Sequence, residues 1–102
     1  MGTRSDSYDD AIALARNRVN LTVIGYIRKN PAAHVADILQ GTRVPAGTLG
    51  RVLHVLVQLN VLDVDVPSDK RSSAHRFRYT LNEHRVEELL AALHFAFRGA
   101  HE

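Results

Sequence analysis

The chain has 102 residues, 45% hydrophobic and only 6% aromatic, enough for one small core and too few for two. With 13 Lys and Arg against 11 Asp and Glu, the formal charge of +2 neither demands nor excludes a polyanionic partner, so the placement of charges has to decide. The lack of Cys excludes disulfides, thiolate metal sites and thiol redox chemistry, while the lack of a long apolar run or an apolar leader points to a cytoplasmic protein with no membrane association.

A core of this size with few aromatics is marginal alone, so dimerisation is expected to add burial. The expected organisation is a loose N-terminus over 1–7, one domain over 8–98 and a short tail over 99–102. Ser7 followed by Asp10 resembles a capping box with Asp in place of Glu, which starts a helix near Tyr8. Ile12, Ala15, Val19, Val23, Tyr26 and Ile27 then recur at helical spacing as far as Lys29, with Asn20 expected to divide or kink the segment and Asn30-Pro31 to end it. Arg28 and Lys29 suit the last turn of a helix and read as solvated charges in preference to DNA contacts.

Ala32 to Gln40 reads as one short helix with Val35, Ile38 and Leu39 on its apolar face, and Gly41-Thr42-Arg43 as a turn in which Gly suits a left-handed C-cap. The next stretch begins with Pro45 at a first helical position and carries Leu49, Val52, Leu53, Leu56 and Leu59 at three- and four-residue spacing. Ala46, Gly47, Thr48, Gly50, Arg51 and His54 lie off that stripe. A short helix, a tight turn and an amphipathic helix make a helix-turn-helix, whose second helix would lead with these small and polar residues into a DNA groove.

Val61 to Val66 and Ala74 to Leu81 alternate with period two around the polar cluster Pro67 to Ser73, as a hairpin does. Matching apolar faces places Leu62 opposite Tyr79, Val64 opposite Phe77 and Val66 opposite His75. The same register sets Asp63 against Arg78 and Asp65 against Arg76. Arg76 and Arg78 then read first as cross-strand partners and second as phosphate ligands. Lys70 and Arg71 at the tip read equally as contacts to the DNA backbone or minor groove and as a solvated tip.

The last helix, Asn82 to about Arg98, has a good N-cap, Glu83, Glu87 and Glu88 early and Arg98 late. Val86, Leu89, Leu90, Leu93 and Phe97 form one stripe, and with Phe95 and Ala96 the last turns are more apolar than a surface helix needs. A dimer contact shared with the first helix is expected, with Tyr8, Ile12, Leu89, Leu90, Leu93 and Phe97 as candidates; packing within its own subunit is the alternative.

The residues themselves resemble the ArsR/SmtB group of bacterial repressors. Thr48 to Leu56 is similar to that family's recognition-helix pattern T-V-S-R-H-L-x-V-L, Asn60-Val61-Leu62 to its G-L-V exit, Tyr79-Thr80-Leu81 to its Y-x-L wing strand and Leu21 to Ile27 to its R-L-x-I-L-x-L helix. The resemblance implies a mainly α fold with a small β-hairpin: a winged helix-turn-helix with a two-stranded wing and a C-terminal dimerisation helix. It also implies a homodimeric repressor that binds double-stranded DNA at a roughly palindromic operator. The candidate DNA contacts are Arg43, Ala46, Gly47, Thr48, Gly50, Arg51, His54, Lys70, Arg71 and Arg76. Gly50 and Val52 depart from the family's Ser and His, leaving Thr48, Arg51 and His54 as nearly the only side chains able to read bases.

The family's sensor motifs are absent. His34-Val35-Ala36 stands where arsenic-sensing relatives carry C-x-C, and Asn82-Glu83-His84 only superficially matches the D-x-H of zinc-type relatives. His94 lies about 80° around the helix from His84, and His94 and His101 are about 10 Å apart along it. No metal and no cofactor are expected, and an effector is left open. No phosphate loop, nucleophile elbow or metal-hydrolase motif argues for an enzyme. The competing reading is a winged-helix module that binds protein and has little intrinsic affinity for DNA, which the modest charge, acidic wing strands and apolar last helix allow.

Overall fold

The computed structural model describes residues 3–65 and 77–99, with side chains from Ser7 onward. The first helix, α1, spans Thr3–Ala15 and the second, α2, spans Arg18–Lys29. α1 starts ahead of Tyr8, so Ser7 and Asp10 lie inside it and form no capping box. The break between the helices falls at Asn17, not Asn20: the Asn17 carboxamide oxygen accepts from Val19 N–H at 3.0 Å and caps α2. Asn20 is instead buried in α2, where its side-chain amide donates to the Leu14 carbonyl at 3.3 Å and ties the two helices together.

The segment expected as one helix from Ala32 divides in two. Ala32 takes a left-handed φ of 59°, Ala33–His34 forms a short strand β1, and α3 runs over Val35–Thr42. Gly41 therefore lies inside α3, and the left-handed C-cap is Arg43 at φ 60°. What requires glycine at position 41 is packing: a Cβ there would come within 2.1 Å of the Tyr26 ring on α2.

α4 spans Ala46–Gln58, with Pro45 as its N-cap residue where the sequence suggested the first helical position. It ends on Asn60 at φ 66°, where Val61 N–H donates to the Leu56 carbonyl at 2.9 Å, an ending of the Schellman type. Two strands follow, β2 over Leu62–Asp65 and β3 over Arg78–Leu81, and then α5 over Glu83–Phe97 with Asn82 as its side-chain cap.

The expected two-stranded hairpin is present as β2 and β3, and β1 joins it as a third strand in the order β1-β3-β2. Its register also differs: Leu62 faces Leu81, Asp63 faces Thr80, Val64 faces Tyr79 and Asp65 faces Arg78. The expected Asp63–Arg78 and Asp65–Arg76 pairings are thereby replaced. The slip is two residues, so each side chain keeps its face. Asn82 N–H donating to the Val61 carbonyl at 2.8 Å pins the base of the hairpin and sets Leu81 against Leu62, both buried. The remaining expected pair, Val66 with His75, lies outside the described residues.

The core joins α2, α3, α4 and the sheet around Val23, Ile27, Ile38, Leu49, Leu56 and Val61, with α1 and α5 packed against each other alongside. Four helices of which α3 and α4 form the helix-turn-helix, a small antiparallel wing and a closing helix make this a winged helix-turn-helix. Among the described residues, no helix is long and apolar enough to cross a membrane.

Candidate nucleic-acid interface

The turn between α3 and α4 is held from inside. Thr42 Oγ1 donates to the Ile38 carbonyl at 2.6 Å and accepts from Val44 N–H at 3.3 Å, and the Val44 side chain is buried. The Pro45 carbonyl accepts from Leu49 N–H at 2.8 Å, which starts α4. Leu49, Val52, Leu53 and Leu56 then anchor α4 in the core, so its opposite side must face out.

That outer side carries Gly47, Gly50, Arg51 and His54, all exposed, within one arc of the helix. Ala46 and Arg43 are exposed at its leading end, while Thr48 is half-buried on the flank. A Cβ at Gly47 or Gly50 would meet nothing within 4 Å, so packing within the domain demands neither glycine. The result is a low surface from which Arg51 and His54 project.

The seven described candidates thus gather on one end of one helix and the turn before it. The other three, Lys70, Arg71 and Arg76, lie outside the described residues. Exposed Gln58 extends the same arc, with Val55 at its edge at 42% exposure. Neither is among the candidates above, although the same helical spacing points to both. Arg28 is not the free solvated charge expected: its guanidinium grips both carboxylate oxygens of Glu83 at 3.0 Å, joining α2 to α5.

The far end of α4 is held by a side chain of α5. Arg85 on α5 donates through Nε to the Leu59 carbonyl at 2.9 Å, just past α4. Its Nη1 donates to Ser7 Oγ at 3.1 Å and to Glu88 at 3.0 Å, and its Nη2 pairs with Asp10. One side chain thus links the end of α4 to α1 and α5. The only hint in the sequence is that a cation in a helix's first turn opposes the helix dipole and needs another reason to be there.

Of the candidate dimer residues, Leu90 and Phe97 are 53% and 89% exposed, Tyr8, Ile12 and Leu93 are half-buried, and Leu89 is taken up by its own subunit's core. A groove of about 230 Å³ between α1 and α5 is lined by Tyr8, Ile12, Leu93, Ala96 and Phe97. An apolar cleft of about 140 Å³ continues from Leu93 toward Leu21 and Ile24 of α2. His34 Nδ1 is buried without a hydrogen-bond partner, but no three His, Asp or Glu side chains among the described residues are grouped to hold a metal ion.

No family model and no curated protein matches the sequence. Among solved structures, the chain is similar to the multiple antibiotic-resistance repressor MarR of Listeria monocytogenes 4b F2365, with a TM-score of 0.60 and 15% identity over 90% of this chain. At that identity the likeness is one of fold, and this chain spans 60% of the repressor's length.

Proposed function

We propose that the protein is a sequence-specific regulator of transcription that binds double-stranded DNA, most simply a bacterial, cytoplasmic repressor related to the ArsR/SmtB group. The observation that carries this reading is the outer face of α4. Among the described residues it has no intramolecular partner, it is low around two glycines, and it carries Arg51 and His54. A helix anchored on one side and bare on the other is what a major groove of about 12 Å accepts.

In this reading Arg51 bonds a guanine edge, worth about 1–3 kcal/mol of discrimination, and Thr48 reaches a phosphate or a thymine methyl. Arg43 lies beside the phosphates at the turn. Lys70, Arg71 and Arg76 supply contacts to the DNA backbone. A homodimer sets two such helices about one helical turn apart on a roughly palindromic operator. The similarity in fold to a named repressor supports the reading.

Selection of bound sequences from random duplex DNA tests it, with the parent and Arg51→Ala compared. The parent should enrich a two-fold symmetric site and the variant should enrich none. Enrichment of the same site by both would refute the assignment of α4. A parent that elutes from duplex DNA without salt dependence would favour the protein-binding module instead.

A further inference from the structure

The outer face of α4 runs on past His54 to the end of the helix, and its last member is Gln58. Gln58 stands within about 20° of both Gly47 and Arg51 around the helix axis, on the midline of the face opposite Leu49, Val52, Leu53 and Leu56. Its side-chain amide has no hydrogen-bond partner among the described residues. Helix stability alone would favour Lys or Arg in a last turn, against the negative end of the dipole, yet α4 carries no basic residue there.

The backbone under Gln58 is fixed from both sides. Leu56 is fully buried and its carbonyl accepts from Val61 N–H, while the Leu59 carbonyl accepts from Arg85. A rigid support of this kind confines where the amide can reach. Arg51, His54 and Gln58 follow one another at three- and four-residue spacing, which on a helix in the major groove carries side chains to successive bases. A carboxamide offers a donor and an acceptor together, the complement of the N6 amino group and N7 of adenine. Guanine presents two acceptors and suits Arg51 instead.

We infer that Gln58 is a specificity-determining residue, whose carboxamide bonds N6 and N7 of an adenine about two base pairs from the guanine that Arg51 reads. The inference rests on the DNA-binding reading of α4 and extends its base-reading surface to the last turn of the helix.

The test compares the sequences selected from random duplex DNA by the parent, Arg51→Ala, Gln58→Ala and Gln58→Glu, each confirmed folded by circular dichroism. Gln58→Ala should lose preference at one A·T pair and bind the parent's site about 5- to 150-fold more weakly, the range for one bidentate base contact. Gln58→Glu keeps only acceptors, so preference at that same pair should move from adenine to cytosine, whose N4 amino group donates. Neither a structural role nor a phosphate contact produces that switch. Gln58→Ala with the parent's preference at every position overturns the inference. So does Gln58→Glu that weakens all sequences alike, which would set the side chain against phosphate. Placing 7-deazaadenine at the pair removes N7 and should weaken the parent but not Gln58→Ala; equal losses overturn the contact. A parent site that needs Arg51 but ignores Gln58 refutes this inference alone, whereas a parent that enriches no site refutes the DNA reading and the inference with it.

Discussion

Arg85 and Asp10, far apart in sequence, form an ion pair between α5 and α1 in which the two side chains are only 15% and 28% exposed. Because the same guanidinium also holds Ser7, Glu88 and the Leu59 carbonyl, its removal strands several polar groups at once. Arg85→Ala should lower unfolding free energy by about 2–4 kcal/mol in urea titration, because lost partners in a partly buried network cost more than the pair itself contributes. Arg85→Met combined with Asp10→Leu should recover much of that loss. A double variant as unstable as Arg85→Ala would mean that the hydrogen bond to Leu59 outweighs the charge pair.

Gly41 and Tyr26 give a prediction in which the sign reverses. Alanine gains roughly 1 kcal/mol of helix propensity over glycine, but at this site its methyl would displace the Tyr26 ring. Gly41→Ala should therefore destabilise the parent by about 1–2 kcal/mol. In a Tyr26→Ala background the same change should stabilise. A double-mutant cycle by thermal unfolding reads this directly, and destabilisation in both backgrounds would show that the ring is not the obstacle.

Gly50 separates stability from binding. With open space beyond its Cα, Gly50→Ala should stabilise the fold by roughly 0.5–1 kcal/mol. Under the proposed function the added methyl projects toward the DNA, so operator affinity measured by mobility shift should fall while the melting temperature rises. Unchanged affinity would move the contact surface away from this arc.

Tyr79 supplies the pH dependence. Burial in the sheet disfavours its phenolate and raises the hydroxyl above its ordinary value of 10.0. The folded state therefore holds the proton more tightly than the unfolded state. The resulting stability is fully present below the unfolded value and is lost as pH rises through the folded one. Between pH 9 and pH 11 the parent should lose stability faster than Tyr79→Phe in denaturant titrations. Parallel curves would show that the ring stays solvated.

Local patterns in the chain announced its helices and the alternation of its strands, and the physics explains where they fell short. The Leu49 to Leu56 spacing fixes which side of α4 is buried, and hence which side is free, because helical period and burial are the same fact. Period two fixed the faces of β2 and β3 but cannot distinguish registers that differ by two residues; the Asn82 to Val61 bond decides that. β1 is two residues long and exists only because β3 offers it an edge, so no local pattern announces it. Asn17 and Asn20 are both plausible helix breakers, and the choice depends on Asn20 reaching Leu14 across the junction. The Arg85 cluster joins residues from opposite ends of the chain, beyond the reach of any spacing rule.

The strand order also governs what the molecule avoids. With β3 in the centre, the edge strands among the described residues are β1, only two residues long, and β2, which carries exposed Asp63 and Asp65. A two-residue edge offers too few backbone groups to template another strand. On the other edge, stacking copies in register would bring like charges together. The sheet is thereby protected against growing from molecule to molecule into fibrous aggregates, even though apolar side chains elsewhere on the surface remain open to self-recognition.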